Sequence, residues 1–339
     1  MVSRCATVVF GALVLVEAAC GFHRPTVPGA LRDDEFWELS TRLSEPPGVF
    51  THSENLVSNE LHFVHSLHYL GASAGVYIGV GPEQNFSYIA GLRPDMAFII
   101  DIRRENRNLH LLYKALFEMS SDRADFVSRL FSRERPSNLD AHTSVDSLFA
   151  AFAATRPAAG LYETNRLLVH ERLTSVRSFP LTDADRHDID RALHAFFTHG
   201  PEITYGQPTS EDSPRPSYRA LMTARDLGGE SRSYLATEER FAAVKARQAA
   251  NLIVPVVGDF AGPRAIRLTG EYVRAHKSVV SAFYGSNVEV YLNRAQMAAY
   301  CANIATLPAL DRSWFIGSRG MQPFAAKLKS CAPATMPPR

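Results

Sequence analysis

The sequence predicts an α/β fold in which a doubly wound, mostly parallel sheet carries helices on both faces. Short, unbroken apolar runs at residues 76–79, 97–101, 252–258 and 279–284 are typical of strands buried on both sides of a parallel sheet. Segments with apolar residues at helical spacing separate these runs, and such alternation favours parallel strands. The chain has 339 residues, 46% of them hydrophobic, so it can bury a large core.

The first 21 residues differ in composition from the rest of the chain. Arg4 precedes an uncharged apolar stretch at residues 6–16, and small residues then lead to Cys20. This layout predicts a secretory signal peptide cleaved near residues 18–20, since the stretch is too short to span a membrane. The sequence AACG resembles a lipoprotein cleavage box, which would lipidate Cys20 and attach the chain to a membrane. The protein would then be periplasmic, secreted or a lipoprotein; without a functional leader it would be cytoplasmic.

After a polar linker at residues 22–32, residues 33–330 are predicted to form one α/β domain. Residues 134–228 interrupt its strand–helix alternation, which predicts a mainly helical insertion covering the sheet edge or the pocket. Thr182 or Asp183 is a good N-cap for the last helix of this insertion. Helical spacing of apolar residues predicts helices at 33–43, 53–70, 103–116, 121–132, 145–153, 162–173, 183–199, 265–276 and 288–300, and a last strand is predicted at 314–316.

Several features argue against other classes of function. The net charge is +1 with both signs dispersed, so no nucleic-acid-binding surface is indicated. His62, His65 and His68 lie on one candidate helix, but no carboxylate completes a metal site, and packed aromatic side chains are favoured over metal ligands. The charged residues at 122–133 are interpreted as a solvated helix face. Cys301 and Cys331 could form a disulfide in an exported protein.

The most informative stretch runs from residue 75 to residue 104. Gly79 and Gly81 directly follow the first apolar run, where a backbone turns sharply or approaches a ligand closely. The next apolar run ends in Asp101, 22 positions after Gly79. A nucleotide-binding βαβ unit has an acidic residue at about this distance, where it accepts hydrogen bonds from ribose hydroxyls. The alternative is an ordinary βαβ unit with a tight turn and a solvated aspartate.

The turn after Gly81 bears on the kind of ligand. A dinucleotide fingerprint has a third small residue here, whereas this sequence has Pro82, Glu83, Gln84 and Asn85. The carboxylate of Glu83 would repel a pyrophosphate. It is compatible with S-adenosylmethionine, which carries a sulfonium and an ammonium group but no phosphate. Favourable contact of Glu83 with a helix N-terminus is the alternative explanation.

Five segments carry a resemblance to a known family: GVYIGVGPEQN, MAFIIDIRR, LLYKALFEMSSDRADFVSRLFSR, NLIVPVVGDFAGPRAI and AFYGSNVEVYL. They resemble an uncharacterised bacterial family with a methyltransferase-like Rossmann fold, over roughly residues 33–320 apart from a loop at 206–216. The broader similarity is to class I S-adenosylmethionine-dependent methyltransferases. It implies cofactor contacts from Gly79, Gly81 and Asp101, with Glu83 at the same turn.

The resemblance also suggests residues for the methyl acceptor, a small molecule. Asp259 follows a later strand and is the first candidate for orienting the acceptor, with Tyr284 and Asn287 behind it. Methyltransferases often have prolines and an aromatic residue after this position, and the sequence Asp259-Phe260-Ala261-Gly262 lacks the proline pair. The acceptor, and whether the chain is catalytic, are therefore left open. Asp259 could instead cap the following helix or bind the glycine turn.

The leader and the methyltransferase resemblance conflict, because S-adenosylmethionine is made and kept in the cytosol. Two alternatives follow from this conflict. The chain is either an exported, non-catalytic binding or scaffold protein with a Rossmann-like fold, or an enzyme that uses another nucleotide-like ligand. The oligomeric state is not indicated by the sequence.

Overall fold

The computed structural model describes residues 27–50, 55–206 and 215–331. The predicted leader, Cys20 and most of the turn-rich loop near residue 210 lie outside the described residues. The fold is built around a six-stranded sheet with the strand order β3-β2-β1-β4-β5-β6. The strands are β1 Val76–Gly79, β2 Met96–Asp101, β3 Ile253–Val257, β4 Val280–Ser286, β5 Ala309–Gly317 and β6 Gly320–Pro323.

The predicted mostly parallel α/β sheet is confirmed. Strands β1 to β5 are parallel to their neighbours, and β6 forms an antiparallel hairpin with β5. Every residue of β1, β2 and β3 is buried, as their continuous apolar sequences require. Because neighbouring strands are parallel, the carboxyl ends of β1, β2, β3 and β4 meet at one edge of the sheet.

The described residues form thirteen α-helices. They are α1 Asp33–Leu43, α2 Phe63–Tyr69, α3 Gln84–Leu92, α4 Arg104–Met119, α5 Arg123–Phe131, α6 Val145–Ala154, α7 Ala159–Glu171, α8 Asp183–His199, α9 Tyr218–Thr223, α10 Glu238–Ala249, α11 Ala265–Ala275, α12 Arg294–Ile304 and α13 Phe324–Cys331. Short helical turns cover Arg172–Val176, Gly200–Glu202 and Val288–Tyr291.

Local sequence explains several helix boundaries. Helix α8 begins where predicted, because the Thr182 hydroxyl accepts a hydrogen bond from the Asp185 backbone N–H at 3.2 Å. The Asp185 carboxylate completes a capping box by accepting from the Thr182 backbone N–H at 3.0 Å. Asn293 and Gln296 form a second capping box at the start of α12, which splits the single helix predicted for residues 288–300.

Two further sequence predictions are wrong. Of the helix predicted for residues 53–70, only Phe63–Tyr69 is helical; residues 55–62 are held in a non-helical path, where the Ser58 backbone N–H donates to the Glu83 carboxylate. The charged residues at 122–133 do not all face solvent. The Arg123 guanidinium is buried and donates to the Leu235 carbonyl at 3.0 Å. This hydrogen bond holds the loop before α10 in place.

The insertion at residues 134–228 contains α6 to α9, and α8 packs against α4 and α5. Near the C-terminus, a disulfide between Cys301 and Cys331 joins α12 to α13, with the two Cα atoms 5.4 Å apart. The pairing that the sequence allowed is therefore present. Within the described residues, no helix is both long and apolar enough to cross a bilayer.

Candidate functional site

A cavity of about 320 Å³ lies at the carboxyl ends of β1, β2, β3 and β4. The strand order changes direction between β1 and β4, so the cavity is at the position where open α/β sheets bind ligands. Its size is in the range of small-molecule sites. The strand ends contribute Val80, Gly81, Pro82, Ile100, Asp101, Ile102, Arg103, Gly258, Asp259, Phe260, Tyr284, Ser286, Asn287 and Val288.

Two segments that precede β1 in the chain also contribute to the cavity wall. Residues 45–50 cross the ends of β3 and β2, where the Gly48 backbone N–H donates to the Ile102 carbonyl at 2.9 Å. This path brings Phe50 to the cavity, with its ring edge-on to the Tyr291 ring at a centroid distance of 4.9 Å. The segment before α2 contributes Asn55, Ser58, Asn59 and Glu60.

Gly79 and Gly81 are glycines for different structural reasons. A Cβ atom on Gly79 would lie 1.9 Å from Oδ1 of Asn85, so this position must be glycine for the turn to pack. Asn85 in turn donates from Nδ2 to the carbonyls of residues 80, 81 and 82 at 3.0, 3.1 and 2.8 Å. Gly79 is not among the residues that line the cavity.

Gly81 lines the cavity and has a φ of +78°, in the left-handed region that favours glycine. A Cβ atom there would meet no atom of the described residues within 4 Å, so the backbone is open to a ligand. The carbonyl of Gly81 lies 2.9 Å from Nε2 of His110. Burial lowers the pKa of His110 to about 4, so the imidazole is neutral at pH 7 and donates from Nε2.

Glu83 supports the cavity wall from behind and is not a lining residue. Its side chain is fully buried, and both carboxylate oxygens lie 3.2 Å from the Ser58 backbone nitrogen. Burial raises the pKa of Glu83 to about 8. The hydrogen bond from the Ser58 backbone lowers this pKa, but its effect is smaller than that of burial. The group is therefore mostly protonated at neutral pH, and its role is to position Ser58.

Asp101 lies on the cavity wall and is paired with Arg103, two residues further along the chain. The side chains are only 6% and 5% exposed. Oδ1 of Asp101 accepts from the Arg103 backbone N–H at 2.9 Å and from Nε at 3.0 Å, and Oδ2 accepts from Nη2 at 3.0 Å. A carboxylate has about four acceptor positions, so roughly one stays available to a ligand.

Glu60 was missed by the sequence analysis, although its carboxylate lines the cavity. Oε2 accepts from the Tyr284 hydroxyl at 2.9 Å and from Nε2 of Gln84 at 3.4 Å, and Oε1 accepts from the Ser286 hydroxyl. Burial raises the pKa of Glu60, while these three hydrogen bonds lower it. No motif marks Glu60 in the sequence, since its partners are far along the chain.

The three candidates for the acceptor side all line the cavity. Oδ1 of Asp259 accepts from the Ala261 backbone N–H at 2.8 Å, so part of its role is to shape the local turn. Oδ1 of Asn287 lies 3.3 Å from the Ser286 hydroxyl oxygen, whose proton is donated to Glu60. The hydroxyl of Tyr284 is buried and bonded to Glu60 and Gln84, so it supports Glu60.

Residues 55–182 and 212–330 match the family described as "Domain of unknown function (DUF7790)". The chain belongs to this family. A comparison with curated proteins gives no match. The matched segments include Glu60, Asp101, Arg103, Asp259 and the glycine turn, whereas α1 and residues 45–50 precede them.

The charged side chains that line the cavity of this DUF7790 domain, in the part of the chain that the structure describes, are Glu60, Asp101, Asp259 and Arg103. Three acids face one base, and the base is already paired with Asp101. The cavity therefore has an excess of negative charge, which favours a cationic ligand and opposes a phosphorylated one.

Part of the cavity wall in the DUF7790 domain is aromatic. Phe50, Tyr205 and Tyr291 line it, and the Arg215 guanidinium lies over the Tyr205 ring at 5.0 Å. Aromatic rings next to carboxylates provide apolar surface for a flat ring and attraction for a cation.

The predicted histidine trio lies outside the cavity of the DUF7790 domain. The His62 and His65 rings are 5.3 Å apart, and Nδ1 of His68 lies 2.9 Å from Oδ2 of Asp226. Within residues 27–50, 55–206 and 215–331, no group of three or more His, Cys, Asp or Glu side chains is arranged to hold a metal ion.

Proposed function

We propose that the DUF7790 domain binds S-adenosylmethionine in this cavity and transfers a methyl group to a small acceptor molecule. The observation that carries the proposal is the excess of carboxylates at the point where the strand order reverses. The sulfonium and ammonium groups of S-adenosylmethionine suit such a cavity. The pyrophosphate of a dinucleotide does not, because it would face Glu60, Asp101 and Asp259, and Arg103, the arginine among the described lining residues, is already paired with Asp101.

The topology supports the same proposal. The order 3-2-1-4-5-6 is that of the doubly wound folds that bind nucleotides at the switch point. The backbone of Gly81 is open towards the cavity, so a ligand can approach it closely. These features support a Rossmann-like, methyltransferase-like assignment for the fold.

The expected ribose contact is smaller than the sequence suggested. Arg103 takes three of the acceptor positions of Asp101, so Asp101 can accept about one further hydrogen bond. A single ribose hydroxyl is the contact that this geometry allows.

When bound, S-adenosylmethionine supplies an electrophilic methyl group, and the protein's task is to align the acceptor with it. Asp259 is suited to aligning the acceptor, because within the described residues its Oδ2 makes no hydrogen bond and can accept one from a ligand. Asp259 can orient a hydroxyl or amine and receive its proton. Asn287 offers a neutral amide at the same strand end.

A second candidate function follows from the disulfide. The Cys301–Cys331 bond is typical of exported proteins, and S-adenosylmethionine is not supplied outside the cytosol. The alternative proposal is an exported, non-catalytic protein that binds a different small cation in the same cavity.

Calorimetric titration of the purified chain with S-adenosylmethionine, S-adenosylhomocysteine and NAD tests the proposal. Binding of the two adenosyl compounds, with no heat from NAD at the same concentration, is the expected result. Binding of NAD alone would support the nucleotide-enzyme alternative. Binding of none of the three would favour the binding-protein alternative.

A further inference from the structure

The carboxylate of Glu60 is oriented by groups from two separate elements. Tyr284 and Ser286, at the carboxyl end of β4, donate to it, and so does Gln84, the first residue of α3. Ser286 donates from a backbone with φ of +50°, which is uncommon for a residue other than glycine. Side chains from two elements and an unusual backbone therefore converge on this one carboxylate.

Glu60 differs from the other two acids of the cavity. The charge of Asp101 is compensated by Arg103 at 3.0 Å. Asp259 uses one oxygen in a local turn and is half-buried at the strand end. Among the described residues, no cationic side chain pairs with Glu60. Burial raises its pKa, whereas the three hydrogen bonds that its carboxylate accepts favour the ionised form.

We propose that Glu60 selects the charged form of the ligand, by facing the sulfonium of S-adenosylmethionine across the cavity. This inference rests on the proposed function and adds a specificity-determining residue to it. Loss of the methyl group leaves a neutral thioether, which has no charge for Glu60 to attract. The product is then bound more weakly than the substrate, and this difference favours its release.

The test compares the affinities of S-adenosylmethionine and S-adenosylhomocysteine by calorimetry at pH 7.5. We expect the wild-type chain to bind S-adenosylmethionine about 10- to 100-fold more tightly than S-adenosylhomocysteine, the range expected of one close contact between opposite charges at a partly buried site. In Glu60→Gln, which keeps the shape and an acceptor oxygen, the two affinities should differ by about twofold or less. Glu60→Asp keeps the charge and should retain a preference for S-adenosylmethionine.

The outcomes separate the two proposals. If the wild-type chain binds neither compound, the proposed function and this inference both fail. If it binds both and Glu60→Gln leaves their ratio unchanged, or weakens both equally, only the inference is overturned. Urea unfolding of each variant shows whether a loss of binding reflects a loss of folding.

The preference should also depend on pH. It is present where Glu60 is ionised and declines as the pH falls through its pKa, which burial has raised. Among the described residues, the other titratable groups that face Glu60 or line the cavity are Tyr77, Tyr88, Tyr205, Tyr284, Tyr291, Asp101, Arg103 and Asp259. The pH profile of the affinity ratio in Glu60→Gln measures the contribution of these other groups alone. An equal decline of the ratio in this variant would contradict the assignment to Glu60.

Discussion

Asp101 and Arg103 form a buried, bidentate ion pair at the cavity wall, with Nη2 of Arg103 3.0 Å from Oδ2 of Asp101. The pair fixes the chain between β2 and α4. It also converts a carboxylate that the sequence assigned to a ribose into a group that is mostly occupied. Because the pair compensates the charge of Asp101, Glu60 and Asp259 are the acids among the described lining residues that no cationic side chain pairs with.

Breaking the pair from one side should be costly. Arg103→Ala leaves the Asp101 carboxylate buried without its partner, and we expect a loss of about 3–5 kcal/mol in the free energy of unfolding. Urea denaturation followed by circular dichroism measures it. The double variant Asp101→Asn with Arg103→Met, which removes both charges, should recover most of the loss. Equal instability of the single and double variants would show that the pairing is not the cause.

The two turn glycines should respond differently to alanine. Gly79→Ala places a Cβ atom against Asn85 and disrupts the hydrogen bonds that hold the turn, which should cost roughly 2–5 kcal/mol. Gly81→Ala meets open space and should cost only the strain of its left-handed backbone, about 1–2 kcal/mol. Thermal unfolding of the two variants compares them. A larger loss for Gly81→Ala than for Gly79→Ala would contradict the structure of the turn.

Glu83 should make stability depend on pH. Its pKa is about 8 in the folded chain, against 4.5 for an ordinary glutamate, so the folded state keeps this proton to higher pH. The contribution of Glu83 to the free energy of unfolding therefore falls as the pH rises from about 4.5 through 8. Glu83→Gln, which cannot ionise, should gain stability relative to wild type over this range in urea denaturation. A constant difference between the two proteins from pH 5 to pH 9 would exclude an ionising Glu83.

The export prediction concerns residues outside the described structure. The apolar stretch at residues 6–16 and the small residues before Cys20 predict cleavage near residues 18–20. N-terminal sequencing of the protein recovered from its native host measures this. A new N-terminus at that site would favour the exported binding protein, whereas an intact Met1 in the cytosol would favour the methyltransferase.

The strands of the central sheet were predictable because their apolar character is local and continuous. The same holds for α1 and α8, which have helical spacing and, for α8, a cap at Thr182. Strand β6 was missed because its four residues are mostly exposed and include Gly320 and Pro323. Helices α9 and α10 were also missed. Their N-caps, Ser217 and Thr237, are signals in the sequence that could have identified them.

The cavity was only partly predictable. The positions of Gly81, Asp101, Asp259, Tyr284 and Asn287 follow from their place at strand ends, which parallel strands bring together. The partners of these groups do not follow from the sequence. Glu60 is held at the cavity by hydrogen bonds from side chains more than twenty positions away along the chain. The apolar residues of its own segment indicated a helix instead.

The location of a bound adenosyl compound tests the central claim most directly. We would determine a crystal structure of the chain grown with saturating S-adenosylmethionine or S-adenosylhomocysteine. We expect electron density for the ligand in the cavity, next to the Gly81 backbone and within reach of Asp101 and Glu60. Density at another site, or an empty cavity at a concentration where calorimetry shows binding, would contradict it.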